Sequence, residues 1–408
     1  MSPRNTIVTG VRLIDGTASE PVDDCVIVIQ DSRIAEIRSS AGKARRSEQL
    51  IDGRGLTALP ALIDAHASMA STTTLERSHG WDRAVSYSTL RAIENAGRCL
   101  ASGITTVRVD TVGHHGLTAL RDLIAARRFL GPRLLVPGRP ISITGGHASV
   151  SVSRTADGPD AMRHAVREEI RAGADWVKLM PTGGAGTPNE SVFEFQMTPA
   201  EVESAIDAAH RRRRRVFAHV SSSAAAHACI DAGIDTIEHG FDLDDGVIAR
   251  MAAQRIPLVP TLSAYRHLVA SGAAGAYDGD DYLTGLYRAA QEIVELHAKT
   301  FQRALEARVP IMAGTDSGAD WFPMGSSLVD ELEAMVDLGM PTLTAIRCAT
   351  GANADGLGLA ELGTITSGKL ADLVLVSGDP ARNLQSLRRV RTVFKAGEIV
   401  FRPEASSV

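Results

Sequence analysis

The sequence is poor in aromatic residues and in cysteine, and it has no long hydrophobic run. Aromatic residues make up 4% of the 408 residues, whereas hydrophobic residues make up 44%, so the core is expected to consist mainly of aliphatic side chains, as in α/β proteins. Cys25, Cys99, Cys229 and Cys348 form no Cys-x-x-Cys pair, which argues against a cysteine zinc site and a disulfide framework. No apolar run is as long as a membrane span, which needs about 18 residues, and no apolar signal segment opens the sequence. We therefore expect no membrane association and a cytoplasmic location.

The chain also lacks a positive net charge. Its formal charge is −5 at pH 7, which argues against nucleic acid as a partner. The run RRRRR at 211–215 departs from this balance and follows the helical segment TPAEVESAIDAAH. Because cations are favourable at a helix C-terminus, we interpret the run as a solvated helix end, with an acidic partner as the alternative.

Both ends of the chain have the short alternating strands and the Gly and Asp turns of β-structure. The first is NTIVTGVRLIDG with CVIVIQDSRIAEIRSS, and the last is GTITSGKLADLVLVSGDP with VRTVFKAGEIVF. Neither end is long enough to bury both of its faces. We therefore predict that residues 1–58 and 362–408 pair with each other in one small β-sandwich.

The middle of the chain has a different pattern, in which short apolar strands alternate with Ala-rich helical stretches. TTVRVD followed by LTALRDLIAARR is an example. About eight such units fit between residues 59 and 361, as in a barrel of about 250 residues. The predicted fold class is therefore α/β, a (β/α)8 TIM barrel at 59–361 with the β-sandwich attached.

Polar residues stand at the ends of several predicted barrel strands, the edge that carries the active site in such barrels. His66 follows LPALIDA, His219 ends VFAHV, His239 ends TIEHG, Asp316 ends IMAGTD, and Lys178 lies within DWVKLM. A lone strand histidine is more often a core or capping residue. Three imidazoles and a carboxylate at strand ends, however, are ligands typical of zinc or manganese, and a lysine in an apolar strand is costly unless it is paired or modified.

Together these segments resemble the amidohydrolase superfamily, in its imidazolonepropionase and prolidase-like branch. The resemblance is carried, in order along nearly the whole chain, by LPALIDAH, the strand lysine, AHV with AGIDTIEHG, AGTDSG, ATGANADGLGL and GTITSGKLADLVLV. It implies the barrel-plus-sandwich fold and a carboxylated Lys178 that bridges two metals. It further implies that His219 and His239 bind the buried metal, and that His66 and Asp316 bind the exposed one.

The first-strand motif departs from the family pattern Pro-Gly-Leu-Ile-Asp-x-His-x-His. The chain reads PALIDAHAS, with Ala61 for Gly and Ser68 for the second histidine. A serine hydroxyl is a poor zinc ligand, so the loss should weaken the exposed site. Two divalent metals, expected to be zinc, could bind with Ser68 or water in the gap. A second outcome is one metal, held by Lys178, His219 and His239 or by a mixed set. A third is a dead site, against which the intact remaining ligands argue.

Two further residues are candidate substrate contacts beside Ser68. SITGGH ends at His147 on an expected third strand and resembles the substrate-binding histidine of peptidase-like members. We expect His147 to polarise the carbonyl or to stabilise an oxyanion, with a purely structural histidine as the alternative. Tyr265, after LVPTLSA, is expected to line the pocket at the sixth strand.

The expected reaction is hydrolysis of a C–N bond in a small amide, urea or carbamate. A metal in such a site lowers the pKa of its water to about 7, and Asp316 would shuttle the proton to the leaving nitrogen. We expect a small-molecule substrate and a homo-oligomer. The alternatives are an Xaa-Pro or Xaa-Arg dipeptidase, a heterocycle deaminase and a catalytically dead ligand-binding barrel. A mononuclear deaminase would need the His-x-His pair but not Lys178, and a dead barrel would be favoured by the absence of bound metal.

Overall fold

The computed structural model describes residues 5–39, 49–70, 81–110, 113–149, 152–185 and 190–403, with the backbone alone for 81–84. The strands in these ranges are β1 (Asn5–Leu13), β2 (Val22–Gln30), β3 (Arg33–Ser39), β4 (Gln49–Asp52), β5 (Leu56–Pro60), β6 (Leu62–Ala67), β7 (Ile104–Val109), β8 (Arg133–Leu135), β9 (Ile141–Ser142), β10 (Arg154–Thr155), β11 (Trp176–Leu179), β12 (Arg215–Ser222), β13 (Thr236–Asp242), β14 (Leu258–Val259), β15 (Leu373–Ser377), β16 (Val390–Lys395) and β17 (Glu398–Phe401).

Helices separate most of the strands in the middle of the chain. They are α1 (Trp81–Ala101), α2 (Gly116–Ala125), α3 (Pro159–Arg171), α4 (Pro199–His210), α5 (Ser223–Asp231), α6 (Asp245–Gln254), α7 (Leu262–Ala273), α8 (Asp281–Glu306), α9 (Ser327–Asp337), α10 (Thr342–Cys348) and α11 (Gly351–Leu357), with a 3-10 helix at Leu384–Arg388. Within the described ranges, no helix combines the length and the apolar character needed to cross a membrane.

The two ends of the chain share one sheet. Its strand order is β17-β16-β15-β5-β1-β2-β3, with β4 paired to β1. The ends meet where β5 pairs antiparallel with β15, with Leu59 opposite Val374. Alternate residues such as Ile27, Leu375 and Phe394 form a separate buried cluster on this sheet. The two ends therefore pair as the sequence predicted, while the sandwich form and the boundaries at 58 and 362 stay predictions.

The middle of the chain forms parallel strands in two sheets. One has the order β10-β9-β11-β12-β13-β14 and the other β6-β7-β8. Segment 311–317 lies between them, with one bridge from Ile311 to Leu258 and another from Ser317 to Ala67. The structure therefore shows a mixed α/β fold, and the described strands form two linked sheets rather than one continuous barrel.

The arginine run lies at the end of α4, which starts at a capping box formed by Thr198 and Glu201. The helix ends at His210, and exposed Arg211 pairs with Asp207 at 2.8 Å. Arg214 donates to the Ala174 carbonyl at 2.9 Å. These contacts fit the interpretation of the run as a solvated helix end.

Candidate active site

The ends of the parallel strands bring the predicted polar residues together. His66, Lys178, His219 and His239 lie on β6, β11, β12 and β13, and all four are buried. The ring centroids of His66 and His239 are 5.0 Å apart, and those of His219 and His239 are 4.5 Å apart. One ligand atom each from His66, His239 and Asp316 lies within 4.8 Å of the other two, so this group could hold a divalent metal.

His66 is oriented by a carboxylate. Its Nδ1 donates to Oε2 of buried Glu238 at 2.5 Å, which directs Nε2 toward the other strand ends. Nε2 lies 3.4 Å from Asp110 and 3.8 Å from Asp316, yet it is a buried nitrogen without a hydrogen-bond partner. Burial and Lys178 lower the pKa of His66, but its contacts with Asp110 and Glu238 outweigh them and raise it to about 9.

Glu238 also holds a buried arginine. Arg108 Nη2 donates to both Glu238 oxygens at 2.8 and 2.9 Å, and its Nε donates to the Ala65 carbonyl at 2.7 Å. The guanidinium stacks over Phe217, 4.3 Å from the ring centroid. Burial alone would raise the pKa of Glu238, but Arg108 and His66 overcome it and hold the pKa at about 2. Glu238 is thus an anion that fixes the ring orientation of His66.

Ser68, in the position of the missing imidazole, contacts two carboxylates. Its Oγ donates to Asp110, 2.9 Å from each oxygen, and lies 3.3 Å from Asp316 Oδ1. Asp110 follows β7 and is 4% exposed. Asp110 was not among the site residues predicted from the sequence, although it ends TTVRVD as Asp316 ends IMAGTD.

Each of the other two histidines has a hydrogen-bond partner of its own. His219 Nε2 donates to the Gly183 carbonyl at 3.0 Å, and His239 Nδ1 lies 2.8 Å from Thr261 Oγ1. Burial and neighbouring ionisable groups hold the pKa of both rings well below the ordinary histidine value. Both rings are therefore neutral at pH 7, the form in which histidine binds metals.

Three residues at these strand ends have a strained backbone conformation. His239, Thr261 and Asp316 all have left-handed conformations, with φ of 66°, 54° and 55°. Such conformations cost about 1–3 kcal/mol each in residues other than glycine, and they cluster at functional sites. The strand ends thus turn sharply where their polar side chains converge.

Lys178 is 1% exposed, and its Nζ lies 4.8 Å from the centroid of the Phe217 ring. Burial lowers the pKa of Lys178, although the nearby carboxylates act in the opposite direction. The neutral amine is therefore more populated here than at an exposed lysine.

The predicted substrate residues lie at the rim of this cluster. His147 lies in a turn beyond the end of β9 rather than on the strand, and its ring centroid is 4.7 Å from that of His219. A Cβ on Gly184 would come within 1.9 Å of the His147 ring, so that loop packs directly against it. Tyr265 lies on α7 with its ring centroid 6.3 Å from that of His239. Burial and the charges of Asp316 and Asp110 raise the pKa of Tyr265 well above the ordinary tyrosine value.

Comparison with known proteins assigns the chain to a family. The sequence pattern of the amidohydrolase family matches residues 57–400, and the chain belongs to this family. It is therefore a hydrolase that acts on C–N bonds, which confirms the resemblance found in the sequence.

Individual relatives are distant but match over almost the whole chain. Ochratoxinase from Aspergillus niger is 28% identical over 429 aligned positions, which cover 97% of this chain and 86% of that protein. A crystal structure of a Xaa-Pro dipeptidase with methionine bound in the active site has a TM-score of 0.90 at 29% identity, and the match covers 98% of this chain and 100% of the other. Molinate hydrolase shares the fold, with a TM-score of 0.80, 19% identity, and coverage of 100% and 99%.

Proposed function

We propose that this protein is a metal-dependent hydrolase that cleaves the C–N bond of a small amide, urea or carbamate. The observation that carries the proposal is the convergence of His66, His239 and Asp316 within 4.8 Å. The unpartnered Nε2 of His66 in a buried position fits a metal ligand, as do the neutral rings of His219 and His239. We also propose that the parallel strands close into a (β/α)8 barrel, supported by the bridges at Ile311 and Ser317.

His66, His239 and Asp316 would hold the metal, which we expect to be zinc and which would supply the Lewis acidity needed to activate a water molecule and polarise the scissile carbonyl. Asp316 is the proton carrier in this proposal. Its side chain is 24% exposed, so it borders both the buried cluster and the open side of the site. Burial and the Asp110 carboxylate raise the pKa of Asp316 to about 7, which suits a group that takes a proton from water and gives it to the leaving nitrogen.

Lys178 is proposed to be carboxylated. A neutral amine attacks carbon dioxide and loses one proton to solvent, which gives an anionic carbamate, and the lowered pKa of Lys178 favours the neutral amine. The carbamate would replace the amine with anionic oxygen donors suited to a bridging metal ligand. His147 and Tyr265 are proposed to bind substrate, since a protonated phenol and an imidazole at the rim can donate hydrogen bonds to a carbonyl oxygen.

A dipeptidase is the second candidate function. It is favoured by the whole-chain match to a Xaa-Pro dipeptidase and by the position of His147 at the rim beside His219. A dipeptide substrate would present the same C–N bond to the cluster, so the two candidates differ in the leaving group and share the proposed chemistry.

The test combines metal analysis with Lys178→Ala. We expect the purified parent to contain one or two equivalents of divalent metal and to hydrolyse a member of a panel of N-acyl amino acids, phenylureas, carbamates and dipeptides. Lys178→Ala should lose metal and lower kcat/KM by at least about a hundredfold, because it removes the proposed bridging ligand.

Lys395→Ala is the matched control, since Lys395 is also a strand lysine but lies on β16 in the sheet of the chain ends. It should keep both metal and activity. Near-parental metal content and turnover in Lys178→Ala would contradict the proposal.

A further inference from the structure

We infer that Asp110 is a metal ligand that takes the place of the missing second histidine, so that the exposed metal position is held by His66, Asp110 and Asp316. This inference rests on the proposed metal-dependent function and specifies the ligands of its site. Ser68, in this arrangement, orients the carboxylate of Asp110 and does not itself bind the metal.

The distances from His66 to the two carboxylates support this assignment. His66 Nε2 lies 3.4 Å from Asp110 Oδ2 and 3.8 Å from Asp316 Oδ1. Ligand atoms at about 2.1 Å from a tetrahedral zinc ion lie about 3.4 Å from one another. The 3.4 Å contact between Nε2 and Asp110 has no hydrogen-bond geometry, and Nε2 is left without a partner although His66 is fully buried. Its nitrogen therefore faces both carboxylates at distances longer than an ordinary N–H···O bond.

The charges point the same way. Asp110 is 4% exposed, and Ser68 Oγ contacts both its carboxylate, at 2.9 Å, and that of Asp316, at 3.3 Å. Two neighbouring carboxylates repel each other, and a cation that binds near both relieves the repulsion. Divalent metals accept carboxylate oxygens readily, whereas a neutral hydroxyl is a weak donor.

The position along the chain explains why Asp110 can replace an imidazole from the neighbouring strand. β6 and β7 are parallel neighbours, with Ala67 opposite Val109. Ser68 and Asp110 are therefore the next residues on two adjacent strand ends, and the Asp110 NH donates to the Ala67 carbonyl at 3.1 Å. The short Ser68 side chain leaves room for Asp110 to approach His66. A second imidazole on β6 would occupy that room.

The experiment measures metal binding without reference to turnover. Apoprotein prepared with a chelator is titrated with Zn²⁺ and, separately, with Co²⁺, whose visible absorption reports the ligand set. Asp110→Asn keeps the shape and an acceptor oxygen for Ser68 but removes the charge. We expect it to lose one zinc equivalent or to bind it at least about tenfold more weakly than the parent.

Two controls keep the test specific. Ser68→Ala removes the hydroxyl that orients Asp110 but leaves the carboxylate itself, so it should weaken zinc binding less than Asp110→Asn does. Asp242→Asn changes an exposed aspartate at the end of β13 and should bind zinc as the parent does. Asp110→Glu retains a carboxylate and should retain the zinc while it alters the Co²⁺ spectrum.

The outcomes separate this inference from the proposed function. Parental zinc stoichiometry and affinity in Asp110→Asn, together with metal loss in Lys178→Ala, would overturn the role of Asp110 and leave the hydrolase proposal intact. A parent protein that binds no zinc would overturn both. If Asp110→Asn does not fold, Asp110→Glu decides the matter, since an unchanged Co²⁺ spectrum would show that the carboxylate is not a ligand.

Discussion

Glu238 is the side chain that fixes the orientation of His66. It accepts from Arg108 and from His66, and all three residues are fully buried. A buried charge left without its partner costs about 3–5 kcal/mol. A carboxylate that orients a metal-binding histidine contributes about ten- to a hundredfold to metal affinity.

Glu238→Gln should therefore have two separable effects. It leaves Arg108 without a counterion, which we expect to lower the free energy of unfolding of the apoprotein by about 3 kcal/mol. It also weakens the hold on His66 Nδ1, which we expect to lower zinc affinity by at least about tenfold. Chemical denaturation and zinc titration measure the two effects.

Glu169→Gln is the control for this variant. Glu169 is also buried and accepts from the Arg139 side chain at 3.2 Å, but it lies on α3, outside the histidine cluster. It should lower stability and leave zinc affinity unchanged. Equal zinc affinity in the parent and Glu238→Gln would show that His66 does not need its anionic partner.

The roles of individual side chains could be predicted from the sequence only in part. The strand-end positions of His66, His239 and Asp316 follow from the apolar strands before them, because parallel strands present their C-terminal ends at one edge. The same rule would have selected Asp110. Glu238, by contrast, stands next to His239 in the chain but acts on His66 of β6, a contact that no local pattern encodes.

The start of α7 is the element that links the cluster to the surrounding helices. Thr261 precedes the helix and contacts His239, while Tyr265 lies in its first turn. Glu331 of α9 accepts from the Leu262 and Ser263 NH groups at 2.9 and 2.7 Å, so a carboxylate satisfies the free amides of the helix start. This contact joins two helices that are distant in sequence and could not be predicted from the pattern of either.

Glu331 should also make stability depend on pH. Burial raises the pKa of Glu331 to about 7, above its ordinary value near 4.5. The folded protein therefore holds this proton between these pH values and the unfolded chain releases it. This protonation contributes up to about 3 kcal/mol to the free energy of unfolding. The contribution is complete below about pH 4.5 and is lost as the pH rises through about 7.

Glu331→Gln resembles the protonated form at every pH and isolates this effect. The free energy of unfolding of the variant minus that of the parent should increase between about pH 4.5 and 7 in chelator-treated protein. A difference that stays constant over this range would mean that Glu331 is ionised in the folded state throughout.

The short strands show where prediction of the elements stops. β6, β7, β12 and β13 follow apolar runs that the sequence makes plain. β9 and β14 have two residues each, and such strands depend on their neighbours rather than on a period of their own. The expectation that His147 lies on a strand failed for this reason, since β9 ends at Ser142 and the chain turns before His147.

Across the molecule as a whole, the sheet of the chain ends is tied to the parallel strands by ion pairs of unequal burial. Arg133 of β8 pairs with Asp372 at 2.6 Å, and the carboxylate is 4% exposed. Arg127 pairs with Glu398 at 2.7 Å, but both side chains are largely exposed. The general location of this contact follows from the predicted pairing of the two ends, whereas the pairs themselves depend on tertiary packing.

Arg133→Met should lower the free energy of unfolding by about 1–3 kcal/mol, because it leaves the buried Asp372 carboxylate without its charged donor. Arg127→Met, at an exposed pair that joins the same two parts, should change it by less than about 0.5 kcal/mol. Denaturant titration of both variants measures the difference. Equal effects would show that burial of Asp372 does not decide the strength of this contact.

The pairing of β5 with β15 has a consequence for biosynthesis. β5 leads into β6, which carries His66, and Thr57 of β5 donates to the Gly378 carbonyl, 321 residues later in the chain. While the ribosome is still adding the middle of the chain, the edge of β5 that will face β15 has no partner. Contacts this remote in sequence form slowly, and exposed strand edges invite aggregation. This edge of β5 therefore waits until β15 has been synthesised, and a holdase chaperone that covers it would be most useful before then.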